Sequence, residues 1–253
     1  MVHKSAVDGY AKTDVYVAGR PGYPDAIQNW LTAEIGLGAG KTVLDLGAGT
    51  GKFIPLLHNI DTKIIAVEPV EAMRATCQQN FPDISVLAGS ATDIPLADQS
   101  VDAVICAQAF HWFSSQQTLA EIHRVLKPGG KLGLVWNVRD ENVNWVAKLS
   151  QIMAPYETGT PRYHTGDWRK VFPSMLFSDL VETQMPHNHT GPASQVIIAR
   201  IMSVSFIRSL PPSDQIIVEN RLWDLISSTP ELATQKTVSF PYVTSAFCCT
   251  RQI

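Results

Sequence analysis

The feature that most constrains the fold is a regular alternation of short apolar runs and helical patterns over the first 140 residues. Five runs rich in β-branched residues predict buried strands at Lys41–Leu46, Ile64–Glu68, Ile84–Ala88, Val101–Ala107 and Lys131–Trp136. The segments with helical spacing are Lys52–Asn59, Val70–Asn80 and Gln116–Leu126, and Lys127-Pro128-Gly129-Gly130 predicts a stop before the fifth strand. Because strands that alternate with helices pair in parallel, the pattern predicts a doubly wound α/β sheet.

The alternation ends after Asn137. We predict a helix and then a loop over residues 142–161, mixed structure over 168–185, and two helices over 192–209 and 213–228. A last apolar run, Thr237–Thr250, predicts a final strand, and Pro241 within it favours a sheet edge or a bulge because proline lacks a backbone N–H. At 253 residues, we expect one core covered by this C-terminal part rather than two domains.

Composition and charge exclude several classes of protein. The chain is 45% hydrophobic and 17% charged, so it can bury a core and is not expected to be disordered. A net charge of −3 provides no overall basic field for nucleic acid or anionic lipid. Since no run of about 18 apolar residues and no signal-peptide segment occurs, we expect a cytoplasmic protein without a membrane partner. The four cysteines form no CxxC pair, which favours structural thiols and predicts no metal site.

A glycine-rich loop follows the first predicted strand and precedes a helix. Its residues are Asp45-Leu46-Gly47-Ala48-Gly49-Thr50-Gly51, and glycines there permit positive φ and a close approach of the backbone to a ligand. Glu68 ends the second strand, where a carboxylate accepts hydrogen bonds from two ribose hydroxyls. A dinucleotide motif would place its third glycine at position 52, where the chain has Lys52, so a nicotinamide oxidoreductase is disfavoured. The loop and the carboxylate together predict a site for an adenosine-containing cofactor.

Six longer stretches carry a resemblance to a known family. They are YVAGRPGYP, VLDLGAGTGKF, AVEPVEAM, GSATDIPLADQSVDAVICAQAFHWF, LAEIHRVLKPGGKLGLVWN and FPYVTSAFCCTR, and they span nearly the whole chain. With them the chain resembles Rossmann-like S-adenosylmethionine-dependent methyltransferases, and is most similar to the small-molecule, trans-aconitate methyltransferase-like enzymes of the methyltransferase-domain family. The resemblance implies S-adenosyl-L-methionine as cofactor and a mostly parallel seven-stranded sheet with an antiparallel C-terminal edge strand and a helical cap.

This resemblance also implies a division of the chain and a set of binding residues. We expect a single domain over 1–253, with an N-terminal cap segment (1–40), a cofactor-binding core (41–140), a substrate-side helical region (141–236) and the C-terminal edge strand (237–253). The implied contacts are Asp45, Gly47, Ala48, Gly49 and Gln108 at the methionine portion, Glu68 at the ribose, Pro69 and Met73 at the adenine faces, Asp93 with Ala91 or Thr92 at the adenine edge, and Tyr16 and Arg20 at the cofactor carboxylate.

Some of these residues also have a purely structural interpretation. By itself the segment at Asp93 favours an Asx-turn ahead of Pro95, and its register with the glycine loop reverses this preference. Met73 on a helix is commonly a core residue. Tyr16 and Arg20 alternatively belong to a surface segment. These alternatives stay open at the level of sequence.

A catalytic candidate lies just after the fourth predicted strand. Gln108-Ala109-Phe110-His111-Trp112-Phe113 leaves that strand beside the expected cofactor, and a histidine pKa of about 6.5 suits a general base. Our hypothesis is that His111 orients or deprotonates an acceptor hydroxyl or carboxyl, while Phe110 and Trp112 shape the pocket. The alternative is a packed aromatic turn with a satisfied histidine.

The acceptor itself is less well defined. QAFHWF stands where amine-methylating enzymes carry an NPPY-type tetrapeptide, which disfavours DNA-adenine and protein-amide acceptors, and the acidic charge balance disfavours RNA. We therefore expect a small-molecule substrate and no nucleic-acid partner. The expected acceptor atom is a carboxyl or hydroxyl oxygen, with carbon and nitrogen as open alternatives. The alternative function is a cofactor-binding protein without methyl transfer, acting as a partner module or a repurposed catalyst. Residues beyond the fifth strand that could touch an acceptor are Trp136, Asn137, Arg139, Tyr163, His164, Trp168 and Arg208.

Overall fold

A computed structural model describes residues 20–157, 159 and 161–253, so the predicted site residue Tyr16 lies outside the described part. Seven strands form one sheet in the order β3-β2-β1-β4-β5-β7-β6. The strands are β1 (Thr42–Leu46), β2 (Lys63–Val67), β3 (Ser85–Leu87), β4 (Val101–Ala107), β5 (Leu126–Arg139), β6 (Val181–Gly191) and β7 (Val238–Thr250). The first five pair in parallel, which confirms the predicted doubly wound sheet.

Helices cover both faces of the parallel strands. They are α1 (Ala26–Ala33), α2 (Ile54–His58), α3 (Glu71–Asn80), α4 (Gln116–Val125), α5 (Asn144–Met153), α6 (Arg200–Met202), α7 (Ser205–Arg208), α8 (Pro212–Ser228) and α9 (Pro230–Ala233), with 3-10 turns at Phe110–Trp112, Ala154–Tyr156 and Asp167–Val171 and a π-helical segment at Ser194–Ala199. Residues of α4 pack into the core on one face, and residues of α1 pack into the core on the other. Burial on two faces explains why these strands are nearly continuous apolar runs.

The antiparallel edge of the sheet contains β7 and β6. The expected antiparallel pair is present, but the structure corrects the place of Pro241: β7 lies between β5 and β6, and β6 is the edge strand. The carbonyl of Pro241 accepts a hydrogen bond from the Asp140 N–H at 3.1 Å, and the β5 ladder ends one residue away, at the Arg139–Tyr242 pair. The N–H and C=O of a strand residue point to the same side, so the nitrogen of Pro241, like its carbonyl, faces β5 and not β6. The missing N–H therefore lies just beyond the end of the β5 ladder, and no hydrogen bond to β6 is lost.

Two local features differ from the sequence predictions. The strand β6 was predicted only as mixed structure, because its sequence VETQMPHNHTG is polar and contains a proline, as suits an exposed edge. The segment Lys127-Pro128-Gly129-Gly130 ends α4 as predicted but lies inside β5, where the register with β4 shifts between the Val101–Leu126 and Ala103–Lys131 pairs. The four residues therefore form a bulge rather than a turn before the strand.

The helical region after β5 packs as a cap over one end of the sheet. Side chains of α5, the π-helical segment and α8 share a buried cluster with the start of β7, including Phe240 and Tyr242. The helix predicted over 192–209 is broken into the π-helical segment, α6 and α7. This break places Arg200 on the wall of the cavity described below. In the part of the chain that the structure describes, no helix is long and apolar enough to cross a bilayer.

Candidate functional site

A cavity of about 420 Å³ lies at the carboxyl ends of the parallel strands, where open α/β sheets bind ligands. Eleven of the residues predicted from sequence line it: Arg20, Asp45, Gly47, Ala48, Gly49, Glu68, Pro69, Met73, Ala91, Thr92 and Gln108. The fold therefore brings together residues from five separate segments of the sequence. Two predicted residues, Asp93 and His111, do not line this cavity.

Asp45 is a buried carboxylate at the end of β1. Its residue is only 1% exposed, and neither carboxylate oxygen has a hydrogen-bond partner among the described residues. Burial, with a smaller contribution from the nearby charge of Glu68, raises the pKa of Asp45 to about 7. An ammonium group in the cavity would satisfy both oxygens and favour the ionised form. Asp45 therefore fits the amino group of the methionine portion that the resemblance implies.

Glu68 links the glycine loop to the end of β2. One of its carboxylate oxygens accepts the Gly49 N–H at 2.9 Å, and the other accepts the Val70 N–H at 2.8 Å. Burial raises the pKa of Glu68, and these two amide hydrogen bonds oppose that rise. Since a carboxylate has about four acceptor positions, each oxygen retains capacity for a ribose hydroxyl. The carboxylate is thus held in one orientation with its remaining acceptors available.

The backbone of the glycine loop comes close to the cavity because its glycines need no room for a side chain. Gly47 has a φ of +75°, and a Cβ placed there would lie 2.9 Å from the Cβ of Ala109. The Gly47 N–H donates to the Val67 carbonyl at 2.8 Å, which ties the loop to β2. Both the conformation and the contact require glycine at this position.

Met73 and Trp112 form the apolar side of the cavity. Met73 is 4% exposed, and it packs with Val70 and Trp112 in a small cluster separate from the main core. A thioether and an indole ring can both cover the face of an adenine. Sequence reasoning had assigned Trp112 to the acceptor pocket, and the structure places it beside Met73 and also on a second cavity that His111 lines. The position of Trp112 on the cavity depends on its packing against Met73, which is distant in the sequence, so the QAFHWF stretch alone does not reveal it.

Asp93 lies outside the lining of the cavity. It is exposed, and its backbone pairs with Ser90 through two hydrogen bonds of 3.2 Å, which close a tight turn. That turn presents residues 90–92 to the cavity instead of the Asp93 side chain. Among the described residues, the Asp93 carboxylate forms neither the hydrogen bond of an Asx-turn nor part of the cavity lining, so its adenine contact stays a prediction.

His111 also lies outside the lining of this cavity. The Trp136 indole N–H donates to Nδ1 of His111 at 3.0 Å, so in the neutral ring the proton is on Nε2. Burial, followed by the charges of Arg162 and Arg20, lowers the pKa of His111 to about 3. Neither ring nitrogen is then available to take a proton at neutral pH. The hydrogen bond from Trp136 and the lowered pKa disfavour a general base, and the ring lines a second cavity of about 490 Å³ that shares Trp112 and Ser114 with the first.

Gln108 has an unusual backbone conformation at the end of β4. Its φ is +57°, in the left-handed region that residues other than glycine rarely adopt, and its N–H donates to the Val135 carbonyl at 2.7 Å. Strained residues of this kind are concentrated at ligand sites. Since Gln108 lines the cavity, its conformation supports the predicted contact with the methionine portion.

Sequence reasoning missed several polar residues of the cavity wall as members of the site, three of them with charged or amide side chains. Lys52 and Arg200 line the cavity, and so does Asn137, which had only been noted as a possible acceptor contact. Asn137 donates from Nδ2 to the Gly22 carbonyl at 2.6 Å and accepts the Thr244 hydroxyl at 2.6 Å. Its amide therefore holds the N-terminal residues against the sheet. Lys52 was visible in the sequence as the residue in place of a third glycine.

The raised pKa of Asp45 gives a testable pH dependence of stability. Because its folded-state pKa, about 7, exceeds its ordinary value of 3.8, the folded state binds an extra proton between these values, and the free energy of unfolding falls as pH rises through that window. Asp45→Asn lacks this titration. We expect the stability advantage of the variant over wild type, measured by urea unfolding without ligand, to widen by roughly 2–3 kcal/mol from pH 5 to pH 8. If the difference in free energy of unfolding between the variant and wild type stays constant across that range, the pKa of Asp45 is not raised in the folded protein.

Comparisons with known proteins agree with this geometry. A family model described as a methyltransferase domain matches residues 44–134. The chain is 39% identical over 239 residues to an uncharacterized methyltransferase-like protein of Schizosaccharomyces pombe, covering 93% of each chain. It is 36% identical over 229 residues to an uncharacterized methyltransferase of Mycobacterium tuberculosis, covering 90% of this chain and 89% of the relative.

A solved structure shows the same fold. A putative type II methyltransferase from Anaeromyxobacter dehalogenans superposes with a TM-score of 0.68 at 21% identity, covering 92% of this chain and 96% of the other. The sheet order and the glycine loop with its two carboxylates are consistent with this family. So is the 39% identity to a methyltransferase-like relative over nearly the full length of both chains. The chain belongs to the S-adenosylmethionine-dependent methyltransferases of the methyltransferase-domain family.

Proposed function

We propose that the protein methylates an oxygen of a small molecule, and that this oxygen belongs to a carboxyl group rather than a hydroxyl. The observation that carries the proposal is that the two described cavity groups whose pKa lies near neutrality, Asp45 and Lys52, are not free to act as a base: Asp45 would hold the cofactor, and Lys52 is mostly protonated at pH 7.

The size of the cavity favours a small acceptor. Arg20, Pro21, Tyr23 and Arg200 line it together with the glycine loop. At about 420 Å³ the cavity lies in the usual range of small-molecule pockets. A net charge of −3 also disfavours a nucleic-acid acceptor.

The cofactor residues position the reacting groups. When bound, the cofactor supplies an electrophilic methyl group on a sulfonium. Asp45 would hold the amino group, Glu68 the ribose hydroxyls and Arg20 the carboxylate, while Met73 and Trp112 would cover the adenine. These contacts fix the direction in which an acceptor atom must approach and exclude water from the apolar side, and such positioning can supply much of the catalysis.

The available titratable groups favour a carboxylate as the acceptor. His111 is an unsuitable base for the reasons given above, and Asp45 and Glu68 are engaged by the cofactor in this proposal. Burial, together with the charges of Arg20 and Arg200, lowers the pKa of Lys52 to about 8, so it is mostly protonated at pH 7. A carboxylate is already ionised at that pH and needs no base, whereas a hydroxyl does.

The test uses cofactor labelled with tritium on the methyl group and a panel of carboxylic acids, alcohols and amines. We expect S-adenosylhomocysteine to accumulate with a carboxylic acid, and the labelled product to release volatile methanol in mild base, as methyl esters do and methyl ethers do not. A base-stable product would contradict the carboxyl assignment. Tight cofactor binding without turnover on any acceptor would instead favour the alternative, a binding protein without methyl transfer.

The surroundings of His111 predict an unchanged pH profile. Since its pKa is about 3, the histidine is neutral throughout the range from pH 5 to pH 9. We expect His111→Gln to lower kcat by weakening the contact with Trp136, without removing any inflection of kcat against pH. Loss of an inflection near pH 6–7 in this variant alone would restore the general-base hypothesis. Exposed His58→Gln is the matched control, with kcat and its pH profile as in wild type.

A further inference from the structure

His111 has one hydrogen-bond donor without a partner among the described residues. Its Nδ1 accepts the Trp136 indole N–H at 3.0 Å, so in the neutral ring the proton is on Nε2 and that nitrogen is a donor. No described residue accepts a hydrogen bond from Nε2, and Nε2 is not one of the buried atoms that lack both solvent and a partner. This N–H is therefore open to the second cavity, of about 490 Å³, whose wall includes the ring of His111.

A buried aromatic cluster holds this donor in one direction. The ring of Trp136 packs against Trp168, with ring centroids 4.5 Å apart, and against Tyr163 at 5.1 Å. The Trp168 indole N–H donates to the Tyr163 carbonyl at 3.1 Å, which ties the cluster to the chain just after Pro161 on the wall of the second cavity. A donor fixed by packing on one side and open on the other is suited to a ligand, because little side-chain freedom is lost on binding.

The second cavity adjoins the cofactor cavity. Trp112 and Ser114 line both, so one short segment after β4 borders the two spaces. Pockets for drug-sized ligands have volumes of about 300–1,000 Å³. The cofactor is a nucleoside joined to an amino acid and would fill much of the first cavity, whose volume is about 420 Å³. The body of an acceptor therefore needs further space, and the second cavity offers it beside Ser114.

The charges around the second cavity favour an uncharged ligand group. Two carboxylates line it, those of Glu157 and Asp167, and each is paired with a cation. Arg162 Nε lies 2.6 Å from Oε1 of Glu157, and Lys170 Nζ lies 2.5 Å from Oδ1 of Asp167. An anionic group in the cavity would meet the carboxylates, whereas a cationic group would face the Nε2–H donor and compete with the two cations. An uncharged oxygen, such as that of a carbonyl, suits the donor without either conflict.

We propose, on the basis of the function proposed above, that the second cavity binds the part of the acceptor that is not methylated, and that the Nε2–H of His111 donates a hydrogen bond to an uncharged oxygen of that part. The acceptor is then a carboxylic acid whose body contains a carbonyl or a similar oxygen. Its carboxylate reaches the cofactor in the first cavity, and its body extends past Ser114 into the second. By this contact His111 determines which acids are used, and it does so without a change of protonation.

The test is calorimetric titration of a series of oxooctanoic acids, which differ only in the position of the carbonyl, into protein saturated with S-adenosylhomocysteine. Octanoic acid is the parent compound without a carbonyl. We expect at least one oxo acid to bind wild-type protein roughly two- to tenfold more tightly than octanoic acid, the effect of one hydrogen bond between uncharged groups. His111→Phe has no donor and should bind the two acids equally, whereas His111→Gln keeps an N–H and should retain part of the preference. If wild type prefers no oxo acid, or if His111→Phe keeps the full preference, the inference is refuted.

A second variant tests the cavity without altering the hydrogen bond from Trp136. Ala154 is exposed and lines the second cavity but not the first, so Ala154→Trp narrows only the second. We expect it to weaken binding of the preferred oxo acid by about tenfold or more through overpacking. Affinity for S-adenosylhomocysteine should stay within about twofold, because the change is outside the first cavity. Equal oxo-acid affinity in this variant and wild type would refute the second cavity as the binding place.

Controls separate this inference from the proposed function. Ala33→Trp, at an exposed alanine that lines neither cavity, should bind every ligand as wild type does, and melting curves establish that each variant is folded. The same acids are also incubated with methyl-labelled cofactor, and a base-labile methyl ester is the expected product. A preference that depends on His111, with a base-stable product or none, would refute the carboxyl assignment but not the contact. Failure of S-adenosylhomocysteine to bind would refute the proposed function itself, and titration of the acids into free protein would still test the second cavity.

Discussion

Asp45→Asn should weaken S-adenosylmethionine binding by about a hundredfold or more at pH 8. The carboxylate is 1% exposed and has no partner among the described residues, so an ammonium group of the cofactor would be its main counter-charge. Removing one partner of a buried ion pair costs roughly 3–5 kcal/mol, and each 1.4 kcal/mol is a tenfold change in affinity. Isothermal titration of the two proteins measures the effect directly.

The same variant should be more stable than wild type without the cofactor, as its pH dependence predicts. Binding and stability therefore change in opposite directions, and a damaged fold cannot mimic this combination. Asp83→Asn, on the exposed surface, serves as the control and should change neither quantity by much. Equal cofactor affinity in Asp45→Asn and wild type would remove Asp45 from the site.

Gly47→Ala should lower both stability and cofactor affinity. The new Cβ would meet Ala109 at 2.9 Å and the Phe113 ring at 3.2 Å, and alanine would have to adopt a φ of +75°. Conformational strain of about 1–2 kcal/mol and overpacking of about 1–3 kcal/mol sum to about 3 kcal/mol. In a chain of this size that corresponds to a fall in melting temperature of roughly 6–12 °C, measured by differential scanning calorimetry.

Two other glycines separate the causes of this effect. Gly40 has a similar φ of +78° but nothing within 4 Å of its added Cβ, so Gly40→Ala should show the conformational strain without the contact. Gly38 has neither feature, and Gly38→Ala should be close to neutral. The expected order of destabilisation is Gly47, then Gly40, then Gly38. If Gly40→Ala is as harmful as Gly47→Ala, the close approach to Ala109 contributes nothing.

The sheet was predictable where its strands are buried on both faces. In β4, every residue of Val101–Ala107 except Asp102 and Ala107 is buried, and the predicted and observed bounds are the same. The edge strand β6 was not predictable from its pattern, because an exposed strand with polar residues and a proline lacks both the apolar run and a clear alternation. The strand that contains Pro241 was predicted at an edge because proline cannot donate a ladder hydrogen bond. The sequence does not show that the neighbouring strand β5 ends before it reaches Pro241.

The site was predictable to the extent that its residues follow parallel strands. Asp45, Glu68 and Gln108 each come at the end of a strand, so the topology alone brings them to one place. Arg200 comes from a helical segment whose π-helical break decides where the side chain points, and no local signal specifies that break. The environment of His111 was not predictable, because the hydrogen bond that sets its tautomer comes from Trp136, a residue 25 positions away.

The placement of β7 has a consequence for how the protein is made. β7 is the last strand in chain order, yet it fills an inner position and pairs along its length with both β5 and β6. Until the ribosome has released residues 238–250, β5 has an open edge and β6 has no partner in the sheet. Such unpaired edges are templates for association between chains. Newly synthesised copies are therefore most prone to aggregate in the interval before β7 inserts, and shortening the chain by this one strand would leave that vulnerable state permanent.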